Sequence, residues 1–251
     1  MWGQETWTVL LAGAISAAIA AAIAWFLRKR EFEPEDVTIG FLGPSLAAMY
    51  LLVLALSLAT EWQTISSAQQ AVGNEAVAVR QIYWAASGLP EPAGNNLESQ
   101  VRGYLSTVIN HDWPQMQRGS LDDRSDQLLS TIGTSLMRFN ATTSGASNAQ
   151  QYAIGQLSVL ASARSERLNA AESRLPLGVL VAVIVTSLIV SLFPFAGGIK
   201  PEKISVAIAI LQTALVTVAV VVVLQLDNPF AGPLATSSAP LTAVAAMVGA
   251  P

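Results

Sequence analysis

Apolar and polar positions divide the chain into long unbroken apolar runs and one extended stretch in which apolar residues recur at helical spacing. Residues 39–60 are apolar and, at about 1.5 Å per residue, long enough to cross a bilayer. Past Glu61 the pattern turns amphipathic, with Ile65, Val72, Ala76, Val79 and Tyr83 at helical intervals. From Ser45 to Ser87 there is no proline, and Gly73 is the sole glycine. The stretch predicts one continuous rod, half in lipid and half in water. It ends at the breaker Gly88-Leu89-Pro90-Glu91-Pro92. Residues 6–27, 177–195 and 204–226 are further runs of spanning length.

Between the rod and the third span the pattern stays helical, with no alternating strand. Val101, Leu105 and Val108 share a face within 97–110. Ser120-Leu121-Asp122-Asp123 reads as a helix start, and that helix runs to about Asn140. A Thr/Ser/Gly loop at 141–148 precedes a last helix over 149–175, which leads through Pro176 into the third span. The predicted fold class is an all-α membrane protein. Four transmembrane helices carry a helical-bundle domain between spans two and three, its first and last helices continuous with those spans. The expected segments are a first hairpin (1–60), the bundle outside the bilayer (61–176), a second hairpin (177–226), and a C-terminal turn with an interfacial segment (227–251). Within that last segment, 240–248 is apolar but too short to span, and is expected to lie on the membrane or on the bundle.

Composition strengthens the membrane assignment. The chain is 52% hydrophobic and 12% charged, against about 25% charged for soluble domains. The first apolar run is preceded by Glu5 and followed by Arg28-Lys29-Arg30, an order expected of a signal anchor with its N-terminus outside. Gly13, Ala17 and Ala21 give that run a small-residue face for close helix packing. Pro34 breaks the turn 28–36, so the first two spans form a hairpin, and Gly43-Pro44 marks a kink or the true start of the second span.

The net charge of −4 with no basic patch argues against a nucleic-acid partner. No cysteine is present, and His111 is the only histidine. No nucleophile elbow, phosphate loop or paired histidines occur, so no enzyme activity, cofactor or metal site is expected. His111 beside Asp112 reads as a turn residue rather than a general base. Asp122, Asp123 and Asp126 complement a helix dipole and lack the glycine and distal glutamate of a calcium loop.

Three groups of residues are candidates for function. On the rod, Gly43, Tyr50, Ser57, Glu61 and Thr64 share one helix face, with Leu54 between Tyr50 and Ser57. A polar face in a span turns away from lipid. It either bonds other helices of the same protomer, or lines a pore in a ring of copies, with Leu54 as an apolar gate and Glu61 as a charged mouth. Glu75, Arg164 and Arg167 lie at comparable heights on the two helices that extend spans two and three. They are expected to form a stalk ion pair, or an anion site at the arginines. Asp227-Asn228-Pro229 forms a tight turn in which Asp227 caps backbone amides; Phe230 then anchors at the membrane interface, ahead of Gly232.

Three sequence pieces carry a resemblance. They are Glu75-Ala76 with Tyr83 and Leu89-Pro90; Arg164-Ser165-Glu166-Arg167-Leu168 with Leu175-Pro176; and Asp227-Asn228-Pro229-Phe230-Ala231-Gly232. Together they resemble the bestrophin-like family of bacterial membrane proteins, a family of unassigned function. The turn 28–36 follows the family pattern without its usual histidine before the proline. The resemblance implies kinship to bestrophins, which are pentameric anion channels, and so a bacterial cytoplasmic-membrane location.

Two functions follow as expectations. The first is a homo-oligomeric ion channel, a pentamer by analogy, with the second span lining the axis. The alternative is a non-conducting sensor or scaffold with a four-helix bundle outside the cytoplasm. Basic residues in the short turns, Arg28, Lys29, Arg30, Lys200 and Lys203, place the bundle outside by the positive-inside rule. Arg164, Arg167 and Arg174, and the cytosolic location of the equivalent bestrophin domain, argue the other way.

Overall fold

The structure, a computed structural model, describes residues 36–121, 124–196, 203–232 and 234–250. The expected first span, its Gly13–Ala17–Ala21 face, most of the turn 28–36 and of the loop 197–203, and Asp122 and Asp123 lie outside these residues. Among the described residues every regular element is helical. They are α1 (Asp36–Ala86), α2 (Ala93–Thr107), a π-turn (Val108–Asp112), α3 (Trp113–Gln117), α4 (Arg124–Arg138), α5 (Ser144–Glu172), α6 (Leu177–Ala196), α7 (Lys203–Leu226) and α8 (Ala239–Val248).

The rod is α1, a single helix of 51 residues that passes through Pro44. Where α1 runs on without interruption, the last helix of the polar middle stops at Glu172. Ser173 is extended, and helix resumes only at Leu177, after Pro176. A proline disfavours helix in the residue before it, which explains the break. At its other end α5 begins at Ser144, inside the expected loop, because the Thr143 hydroxyl accepts the Ala146 N–H as an N-cap.

The chain divides into two compact units. One takes the chain through Trp62 together with Arg174–Asp227; the other takes Gln63–Ser173 and Asn228–Pro251. Among the described residues, the helices long and apolar enough to cross a membrane are α1, α6 and α7.

In the first unit Tyr50, Val190 and Val216 form a buried cluster, flanked by Leu46 and Leu54. Gly43 permits close approach of α1 to α6: a Cβ there would stand 3.0 Å from the Phe193 ring. Thr186, Ser187, Thr213 and Thr217 each donate to a carbonyl one turn back, and the Gln212 amide reaches Val190 O at 3.3 Å. Such bonds satisfy polar side chains where no water competes.

The second unit has a conventional core. From α1 it takes Ala68, Val72, Val79 and Ile82; from the other helices Val101, Leu105, Ile132, Leu136 and Leu160. The C-terminal helix completes that core with Leu241, Val244, Ala245 and Val248, and Arg102 donates to Val248 O at 2.7 Å. Phe230 is fully buried with its ring edge-on to Trp113, centroids 5.3 Å apart. The expectation of Phe230 as an interfacial anchor is therefore corrected. An aromatic ring of that size gains more from a dry, packed site beside Trp113 than from a headgroup surface.

Candidate functional site

Helix α1 positions the first group of candidates, and it presents one covered and one bare face. In its first half Tyr50, Ser57 and Glu61 are buried. Leu54 packs beside Tyr50, Val190 and Val216. The Tyr50 hydroxyl donates to Val216 O at 3.4 Å, and Ser57 to Val53 O at 2.8 Å. Thr64 is half-buried. Of the residues expected to line a pore, Tyr50, Ser57 and Glu61 are covered within the single protomer, and Leu54 and Thr64 are partly covered. Tyr50 meets α6 and α7 of its own protomer on that face, and Ser57 bonds back along α1. Gly43 falls on the same side, against Phe193.

The bare face is the opposite one. Met49, Leu52 and Leu56 are exposed in the first half of α1. In the second half, Gln63, Gln70, Asn74, Val77 and Trp84 are exposed. At about 100° per residue these positions follow a single stripe.

The second group lies inside the helical unit, where Glu75 and Arg167 are completely buried. Arg167 Nε donates to Glu75 Oε2 at 2.6 Å and Nη2 to Oε1 at 3.2 Å, a two-pronged bond. Arg167 Nη1 donates to Met116 Sδ at 3.2 Å, and Nη2 stands 3.7 Å from Asp112 Oδ2. The Tyr104 hydroxyl donates to Glu75 Oε1 at 2.7 Å. Burial would lower the Arg167 pKa, but the Glu75 carboxylate and Tyr104 override it and the value is raised. Burial, reinforced by the Glu75 charge, pushes the Tyr104 phenol well above its usual range.

Arg164 makes a separate set of bonds. Its Nε donates to Ser125 Oγ at 2.9 Å and Nη1 to Asp126 Oδ1 at 3.1 Å, while Ser125 Oγ donates to Asp112 Oδ2 at 2.5 Å. The π-turn aims Asp112 inward toward this network. Arg167 is committed to Glu75 and lies near Asp112, whereas Arg164 reaches Ser125 and the largely exposed Asp126 and keeps a buried Nη2 without a hydrogen-bond partner. Sequence reasoning missed Tyr104, Asp112 and Ser125. The signal for Asp112 was its place beside His111, but nothing local revealed a π-turn.

The third group closes the membrane unit and opens the helical one. Asp227 does not cap its own turn: Oδ1 accepts the Leu175 N–H at 2.7 Å, and Arg174 Nη1 donates to Asp227 O at 3.0 Å. That ties the start of α6 to the end of α7. Local capping falls to the next residue, where Asn228 Oδ1 accepts the Phe230 N–H at 3.0 Å. Pro229 O accepts the Thr236 N–H at 2.8 Å, and Gly232 has φ 90°, which favours glycine.

Among the described residues, no group of three or more metal-ligating side chains gathers. The family pattern described as a bestrophin-like domain matches residues 7–241. Among curated proteins no sequence match is found. Solved structures share the fold at low identity. A variant of a bacterial bestrophin homologue from Klebsiella pneumoniae is 12% identical with a TM-score of 0.67, covering 98% of this chain and 96% of that one. A second variant of that homologue is 14% identical with a TM-score of 0.66, covering 98% of each chain. A structure described as a membrane protein is 14% identical with a TM-score of 0.69, covering 98% of this chain and 96% of that one.

Proposed function

The chain belongs to the bestrophin-like family, and from that premise we propose that it is a homo-oligomeric membrane channel for small ions, with α1 of each copy lining the axis. The observation that carries this reading is the bare face of α1. The helix has 51 residues, about 77 Å at 1.5 Å each, far more than a bilayer core of about 30 Å requires. Lipid can cover Leu52 and Leu56. It cannot cover Val77 and Trp84, which are 43% and 55% exposed in the half that belongs to the helical unit. Large apolar side chains there gain most from contact with a second copy.

The axis-lining residues in this reading are Met49, Leu52 and Leu56, followed by Gln63, Gln70 and Asn74. The apolar positions form the constriction, able to close by dewetting, and the polar ones hold water. Four spans, counting residues 6–27, are too few to enclose such a path within one chain. Five copies are adopted from the resemblance to bestrophins.

The protein sits in the bacterial cytoplasmic membrane with the helical unit outside, as the basic residues of the short turns favour. Arg164 and Arg167 weigh less against this orientation than their number suggests, because both are held by carboxylates. An engineered cysteine at the exposed Asn95 reports the side directly. Labelling by a membrane-impermeant reagent in intact cells is expected; protection overturns the orientation.

The test of function is the mass of the purified detergent-solubilised particle together with currents in planar bilayers. A ring of more than two copies that conducts is expected. A monomer or dimer without current contradicts the proposal.

A further inference from the structure

We propose that Glu61 is a proton-operated switch at the end of the α1 span: protonated, it keeps that part of the helix packed as in this structure, and ionised, it works against the packing. Its effect on ion flow rests on the channel reading; its effect on packing does not.

Two carboxyls of α1 are buried, and their surroundings differ. Glu61 is 4% and Glu75 0% exposed. Glu75 accepts two hydrogen bonds from Arg167 and one from Tyr104. The Glu61 carboxyl forms no hydrogen bond or ion pair among the described residues. A carboxylate taken out of water without a partner is costly, so such a group holds its proton instead.

Glu61 stands one residue past the apolar run 39–60, in the same compact unit as Arg174 and Asp227. These two carry the charges that act on it, and they are engaged with each other. Asp227 Oδ1 accepts the Leu175 N–H, and Oδ2 stands 3.7 Å from Arg174 Nη1, which donates to Asp227 O. Burial, reinforced by the Asp227 charge and only partly offset by Arg174, raises the Glu61 carboxyl from 4.5 to about 7. The group therefore changes charge near neutral pH while it is buried. Once ionised it gains most by reaching water, which it does only if this part of α1 shifts.

In the unfolded chain a glutamate ionises near about pH 4.3. With the folded value raised to about 7, the folded state binds the proton more tightly. Stability from Glu61 is therefore full below the unfolded value, declines as pH rises, and is lost above the folded one.

The experiment is thermal unfolding of the purified full-length protein in detergent, wild type against Glu61→Gln, at about pH 5 and about pH 8. Glutamine stands in for the neutral carboxyl. The melting temperature of Glu61→Gln relative to wild type should rise by several degrees between the two pH values. No rise, or a fall, overturns the inference. Currents in planar bilayers then test the link to ion flow: the pH dependence of the wild-type current should be lost in Glu61→Gln. The same pH dependence in both overturns that link while leaving the channel intact. No current from any form, wild type included, overturns the channel reading, and the melting temperatures decide on Glu61 by themselves.

Discussion

Arg167 grips Glu75 through two hydrogen bonds of 2.6 and 3.2 Å, across 92 positions of sequence and with both side chains wholly excluded from water. The pair joins the rod α1 to α5, and Tyr104 adds α2 to the same carboxylate. Each carboxylate oxygen has a partner, which is the condition under which a buried ion pair is tolerated. The half of the rod that belongs to this unit is thus fixed in rotation within it, with Val77 and Trp84 left exposed.

Replacing Glu75 by alanine leaves the Arg167 charge buried without its carboxylate. A loss of about 3–5 kcal/mol is expected, read as a lowered midpoint in thermal unfolding of the detergent-solubilised protein. Arg164→Ala should cost less, because its partner Asp126 is largely exposed. Equal losses from the two variants would contradict the geometry.

Tyr104 supplies a pH dependence. Its folded pKa is raised by burial and by Glu75, while in the unfolded chain it ionises near about pH 10. Stability from this group is full below that value and declines as pH rises past it, since only the unfolded state releases the proton easily. Tyr104→Phe should cost about 1–3 kcal/mol at neutral pH and flatten the alkaline decline. A steeper decline in the variant would refute the assignment.

Asp227 has a structural task that substitution can isolate. Asp227→Ala removes the acceptor of the Leu175 N–H and should cost about 1–3 kcal/mol. Asp227→Asn keeps an acceptor oxygen and should recover much of that loss. If asparagine behaves like alanine, the charge beside Arg174 matters rather than the hydrogen bond.

The parts of the fold legible in the sequence are those set by periodicity. The unbroken run from Ser45 to Ser87 became one helix, and the apolar runs near 177–195 and 204–226 became α6 and α7. Pairing Glu75 with an arginine of 164–167 was legible too, because equal heights on neighbouring helices can be counted. The orientation of α1 was not. A polar stripe in lipid faces either a partner helix or water, and periodicity does not separate the two; the packing of Tyr50 against Val190 and Val216 left no local pattern. Burial of Phe230 by Trp113, a contact across 117 positions, left no local pattern. The π-turn at Val108–Asp112 is hidden for the same reason: its residues suit an α-helix equally well.

The central claim is that the bare face of α1, not its polar stripe, meets the ion pathway. The chain contains no cysteine, so an introduced thiol reports its own position. Leu56 and Ser57 are sequence neighbours, 60% and 0% exposed respectively. The measurement is the planar-bilayer current of Leu56→Cys and Ser57→Cys channels during application of a small charged thiol reagent. Rapid block at Leu56→Cys with no change at Ser57→Cys is the predicted result; rapid block at Ser57→Cys with Leu56→Cys unaffected would contradict it.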